Sequence, residues 1–156
     1  MSVTKELEEI VKIVNSNRIE LAFSKIKKLK EENKNNLDVI YTFGQIAVKA
    51  NYIEEAIETF EKILENNNKD DKLLSTISKL YIRKNNIDKA LVYINKILSK
   101  IPNDENANKD KAYILYSYQK YKEAKKCIKI VMDKSPKDYF ALNINGLILL
   151  EENNIL

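Results

Sequence analysis

Cys127 is the one thiol of the chain, and no histidine accompanies it anywhere in the sequence. A nucleophilic cysteine needs a base or a cationic neighbourhood to become a thiolate. Lys125, Lys126 and Lys129 are the nearby cations that would lower its pKa. With no imidazole to take the proton, however, the position reads as a small filler between helices. Glu54, Glu55, Glu58, Glu61 and Glu65 recur at spacings of three and four, the pattern of a solvated helix face rather than a metal site. A phosphate-cradling loop needs several glycines, and Gly44 and Gly146 are the only two, each inside a helical stretch. The chemistry-bearing residues therefore predict no enzyme, no cofactor and no bound metal.

Composition narrows the alternatives further. The net charge is +4 with a pI near 8.9, but the cations are 25 Lys and 2 Arg. Lysine lacks the bidentate fork that phosphate and base recognition favours, so the basic balance points only weakly to nucleic acid. A single cysteine permits no internal disulfide and fits a reducing, cytoplasmic location. The first nine residues are polar and acidic, unlike a signal peptide. The longest apolar run, Leu147 to Leu150, is far short of a membrane span.

The elements that must position these residues are written in an interval. Ala22, Ala56, Ala90 and Ala124 fall 34 residues apart, in the frames Asn17-x-Ile19-x-x-Ala22, Asn51-x-Ile53-x-x-Ala56, Asn85-x-Ile87-x-x-Ala90 and Gln119-x-Tyr121-x-x-Ala124. The frame opens once more at Asn153-x-Ile155. Blocks of this period run 3–36, 37–70, 71–104 and 105–138, with a partial block 139–156. Each holds two stripes of apolar residues at i, i+3, i+4 and i+7, separated by a short polar break. Gly44, Ser78, Ala112 and Gly146 form a second small-residue ladder, on the first helix of each pair. Small residues at both crossing points fit antiparallel helices packed closely together. Asn17, Asn51, Asn85 and Asn153 suit a left-handed C-cap, and Pro102 and Pro136 stop second helices. The expected fold is all-α: an α-solenoid of stacked antiparallel pairs, about four repeats plus one extra helix, in a single domain.

This pattern resembles the tetratricopeptide-repeat family. Ile40, Phe43, Gly44, Ala56 and Phe60 match its large-apolar, small, alanine and aromatic positions, as do Leu74, Ile77, Ser78, Tyr81, Ala90 and Pro102. Ala112, Leu115, Ala124 and Pro136 continue it, and Leu142, Gly146 and Leu149 begin it again. Departures are the missing family tryptophan, Ile10 at a small position, and Asn108 and Lys111 at positions that are usually apolar. The stripe Leu7, Ile10, Val11 and Val14 reads as out of phase, as a capping repeat would be, and Asn108 and Lys111 as loosening their helix. The very apolar stretch 139–152 and the frame broken off after it predict a fragment of a longer array, its last helix partly bare.

The resemblance implies a right-handed superhelix whose first helices line a concave groove. Carried onto this sequence, the peptide-binding groove residues are Tyr41, Gln45 and Lys49 in the second block, Lys72, Lys79 and Arg83 in the third, and Lys109, Tyr113 and Tyr116 in the fourth. A basic and partly aromatic strip suits an extended peptide with acidic and apolar side chains. The set of Lys, Asn and Arg with which some relatives clamp a chaperone's C-terminal carboxylate is matched in no register. The net charge of the second block is −4, and that of the third and fourth +4 each. The function expected is a protein-interaction scaffold taking a peptide or a partner helix. The alternatives are a nucleic-acid-binding repeat using the third and fourth blocks, or a regulatory module of an enzyme lying outside these residues. Self-association through the exposed last helix is a further expectation, as is the absence of membrane partners.

Overall fold

The computed structural model describes residues 2–66 and 70–154, and every regular element among them is an α-helix. The helices are α1 (Val3–Asn15), α2 (Ile19–Glu32), α3 (Leu37–Lys49), α4 (Ile53–Asn66), α5 (Asp71–Arg83), α6 (Ile87–Lys100), α7 (Glu105–Ser117), α8 (Tyr121–Lys134) and α9 (Tyr139–Asn154). Odd-numbered helices start 34 residues apart, and so do even-numbered ones, so the period of the sequence is the period of the fold. Contacts divide the chain into two compact units, Met1–Leu73 and Leu74–Leu156, the division falling inside α5.

Each helix pair turns on one left-handed residue. Asn17, Asn51, Asn85 and Gln119 have φ of 60°, 64°, 56° and 58°. The amide of the residue after each donates back across five positions, Arg18 to Ile13, Tyr52 to Ala47, Asn86 to Tyr81 and Lys120 to Leu115. These are Schellman corners, closing carbonyls that the helix end would leave open. Asn153 does not join them, because α9 runs through it to Asn154; Ile155 lies outside the described residues. With no corner made at Asn153, the fifth frame is helix where the spacing predicts a cap.

Asn36, Asp70, Asp104 and Asp138 form another ladder at the same interval, preceding α3, α5, α7 and α9. Their side-chain oxygens accept from Asp38 and Val39, from Leu73, from Ala107 and from Ala141. Ser2 caps α1 in the same phase, accepting from Lys5. Each is an N-cap satisfying a free amide of the first turn.

In the first unit, α1 packs on α2, α2 on α3, α3 on α4, and α1 also reaches α3. Phe23, Ile26, Val39, Phe43, Ala47, Ala56 and Phe60 form the interior. The crossing of α3 and α4 is closed by Gly44, where a Cβ would stand 2.8 Å from Phe60 Cζ. Stacking extends outward through Phe23, whose ring lies 4.1 Å from Tyr52 and 5.5 Å from Phe43. Contrary to the reading from spacing, α1 is in phase. It starts 34 residues before α3, and Ile10, at the small-residue position, is buried.

In the second unit, α6 packs on α7, α7 on α8, α8 on α9, and α7 also on α9. Ala112, Ala124, Ile128, Val131, Ala141, Ile144 and Ile148 close one continuous core there. Asn108 does not loosen α7. It is fully buried, and its side-chain amide donates to the carbonyls of Pro102 and Asp104 at 2.9 and 2.8 Å, tying the turn to the helix. A buried amide so satisfied costs little and fixes the local geometry. Lys111 reaches outward to Asn95 Oδ1 at 2.9 Å.

Candidate functional site

First-helix residues carry the predicted strip, and each unit presents its own part. In the first unit Tyr41, Gln45 and Lys49 follow one another at four-residue spacing along α3, all exposed. The Tyr41 ring leans on Phe60 at 5.9 Å, which holds its hydroxyl end outward from a fixed base. Lys72, in the first turn of α5, is also exposed.

In the second unit Lys79 and Arg83 are exposed on α5, and Tyr113 on α7 is 47% exposed. Asp110, one turn before Tyr113, is less acidic than an ordinary aspartate, first because it is half-buried and against the pull of Lys79. The α5 cation therefore acts on the α7 face. Lys109 and Tyr116 are less open. Lys109 pairs with Asp138 at 2.8 Å, and that bond together with the Ala141 amide holds Asp138 below the usual carboxylate range. The lysine thus braces the N-cap of α9. Tyr116 is half-buried, 5.8 Å from Tyr121.

Cys127 is buried on α8, and burial pushes its thiol up from the ordinary value. The lysine that opposes this shift is Lys111 of α7, not the sequence neighbours Lys125, Lys126 and Lys129. A buried, protonated thiol is a packing group. Among the described residues no cluster of three or more His, Cys, Asp or Glu side chains is placed to hold a metal ion. No helix among them is long and apolar enough to cross a membrane.

A different face is bare on α9. Leu142, Leu149 and Leu150 are exposed around Gly146, and nothing stands within 4 Å of where a Gly146 Cβ would be. Its counterpart Gly44 is closed by Phe60 of the following helix. The small-residue ladder therefore marks a crossing at Gly44 and an open surface at Gly146.

Helix pairs at a constant interval, with one left-handed corner per pair and capped first helices, define an α-helical repeat protein. The family pattern described as "Tetratricopeptide repeat" matches residues 53–109, and the same left-handed corners recur on both sides of that segment. Solved structures share the fold. A tetratricopeptide repeat protein from Parabacteroides merdae superposes with a TM-score of 0.86 at 17% identity, over 97% of this chain and 60% of that one. The chain thus spans less than two thirds of that relative. MamA (residues 41 to the end) from Desulfovibrio magneticus RS-1 gives 0.83 at 12% identity, covering 97% and 85% of the two chains. MamA of strain AMB-1 gives 0.78 at 15%, covering 97% and 82%. At these identities the likeness is one of fold. No curated protein matches the sequence.

Proposed function

We propose that the chain is a non-catalytic, cytoplasmic scaffold that binds another protein through its first-helix faces. The observation that carries this reading is the second unit's open face, where exposed Tyr113 on α7 accompanies exposed Lys79 and Arg83 on α5. Tyrosine offers contact area at little entropic cost, and the cations favour an acidic segment alongside it. The preferred occupant is an extended peptide or an amphipathic helix with acidic and apolar side chains. Within the first unit, exposed Tyr41, Gln45, Lys49 and Lys72 are proposed to bind a protein segment in their own right.

The test is the double variant Lys79→Glu, Arg83→Glu, with partners captured by crosslinking from native lysate. Capture is expected to fall about tenfold or more, as removal of one or two close charge pairs does, while circular dichroism shows the variant still folded. Equal capture by the variant and the parent chain would sink the assignment.

A second reading rests on the bare stripe of α9: two copies pair through Leu142, Gly146, Leu149 and Leu150. Sedimentation should then show a dimer that Leu150→Glu converts to monomer. A parent chain that is monomeric at all concentrations removes this reading.

A further inference from the structure

The first unit contains a hollow that its repeat logic does not require. Roughly 600 Å³ of open space lies between the C-terminal half of α2, the start of α3 and the length of α4. Its floor is apolar, made of Ile40, Phe43 and Ile63, with Leu37 exposed at the rim. A volume of this order is that of a small-molecule cavity, in which an apolar lining gives affinity and a few polar groups give orientation.

Four lysines surround this floor: Lys27, Lys30 and Lys34 on the α2 side and Lys62 on α4. Lys30 turns inward, its Nζ 3.7 Å from the centre of the Phe43 ring. Among the described residues that ring is its partner, and no carboxylate stands at ion-pair distance from it. Burial, and after it the nearby Lys62 and Lys27, make this ammonium less basic than an ordinary lysine, with Glu58 and Glu55 opposing. An anion arriving beside it would meet a partly desolvated cation, where charge pairing is stronger than at the open surface. Glu55 and Glu58 line the α4 wall with one lysine, whereas the α2 side sets three lysines against the single Glu31, so an anion is directed to the α2 wall.

The equivalent place in the second unit, 68 residues on, is built differently. Ile40 is replaced by Asn108 and Phe43 by Lys111, and both are engaged locally, with the Pro102 and Asp104 carbonyls and with Asn95. Where the second unit uses these positions for internal bonds, the first leaves an apolar floor beneath an inward-turned lysine. The hollow also lies on the second-helix side, away from Tyr41, Gln45 and Lys49.

We propose that this hollow binds a small apolar carboxylate, a straight-chain or aromatic acid whose hydrocarbon body rests on Ile40 and Phe43 and whose carboxylate meets Lys30 and Lys27. No bond is made or broken; the site is a binding site, independent of the protein partner proposed above.

The probe is octanoate, titrated into the full isotope-labelled chain, with octanol as the uncharged control. Amide shifts are expected at Lys30, Phe43, Thr59 and Lys62, with octanoate binding at least about tenfold more tightly than octanol, the worth of one charge-assisted contact. Lys30→Gln should weaken octanoate by about the same factor and leave octanol unchanged. Because Lys30 packs on Phe43, the exposed Lys27→Gln serves as a second variant, with circular dichroism to verify both folds. Three results overturn the proposal: no shift at these amides up to about 1 mM octanoate, equal affinity for acid and alcohol, or unchanged octanoate affinity in both folded lysine variants.

Discussion

Phe60→Ala is expected to destabilise the chain by about 3–5 kcal/mol, the usual cost of removing a buried aromatic. The ring is 1% exposed and fills the α3–α4 crossing under Gly44. Its loss leaves a cavity faced on one side by a residue with no side chain, so the surroundings have little with which to fill it. It also removes the base on which Tyr41 leans. Domains of this kind are stable by only about 5–15 kcal/mol in total, so urea unfolding should show a large fall in midpoint. A change under about 1 kcal/mol, the scale of an ordinary surface change, would mean that the ring does not close the crossing.

The two glycines should respond oppositely to one substitution. Gly44→Leu inserts a side chain where even a Cβ meets the Phe60 ring, and overpacking of this kind costs about 1–3 kcal/mol or more. That loss is expected despite the gain of roughly 1 kcal/mol in helix propensity from removing glycine. At Gly146 the added atoms meet nothing within 4 Å, so Gly146→Leu should keep the propensity gain of about 0.5–1 kcal/mol. Thermal melts of the two variants decide the matter. A destabilised Gly146→Leu, or a neutral Gly44→Leu, would contradict the geometry.

These contrasts show which parts of the structure were legible in the sequence. The period, the helix pairing and the left-handed asparagines 17, 51 and 85 could be read because each is a local demand: a residue type meets a backbone geometry within one turn. Gln119 holds the same left-handed corner, and its alignment with the asparagines was the available signal. The cap ladder through Asn36, Asp70, Asp104 and Asp138 was equally local and went unread, although N-cap preference alone identifies those residue types. Gly146 and Asn153 were read by extending the ladder, but their environment depends on what packs against α9, which spacing does not encode.

The candidate site was legible in part. Tyr41, Gln45 and Lys49 were expected in the strip from the family resemblance, and all three are exposed along α3. Lys109 was expected in the peptide-binding strip, yet it is joined to a cap 29 residues away, a tertiary pairing with no local trace. The hollow beneath Lys30 was missed for the same reason. Its floor and its lysines come from three helices, and in sequence the lysines look like any solvated face.

The packing between helices has a consequence for how the chain reaches its structure. Among the described residues, the helix contacts within each unit join neighbours in sequence or next but one. Among the described residues no strand must wait for a distant partner, and the loops closed on folding are short, so the entropic barrier is small. Such a chain is expected to nucleate at any pair whose corner forms, to propagate outward by nearest-neighbour docking, and to fold on the microsecond-to-millisecond scale of helical proteins with low contact order. The left-handed corners, which set the angle of each pair, would then also set where folding begins.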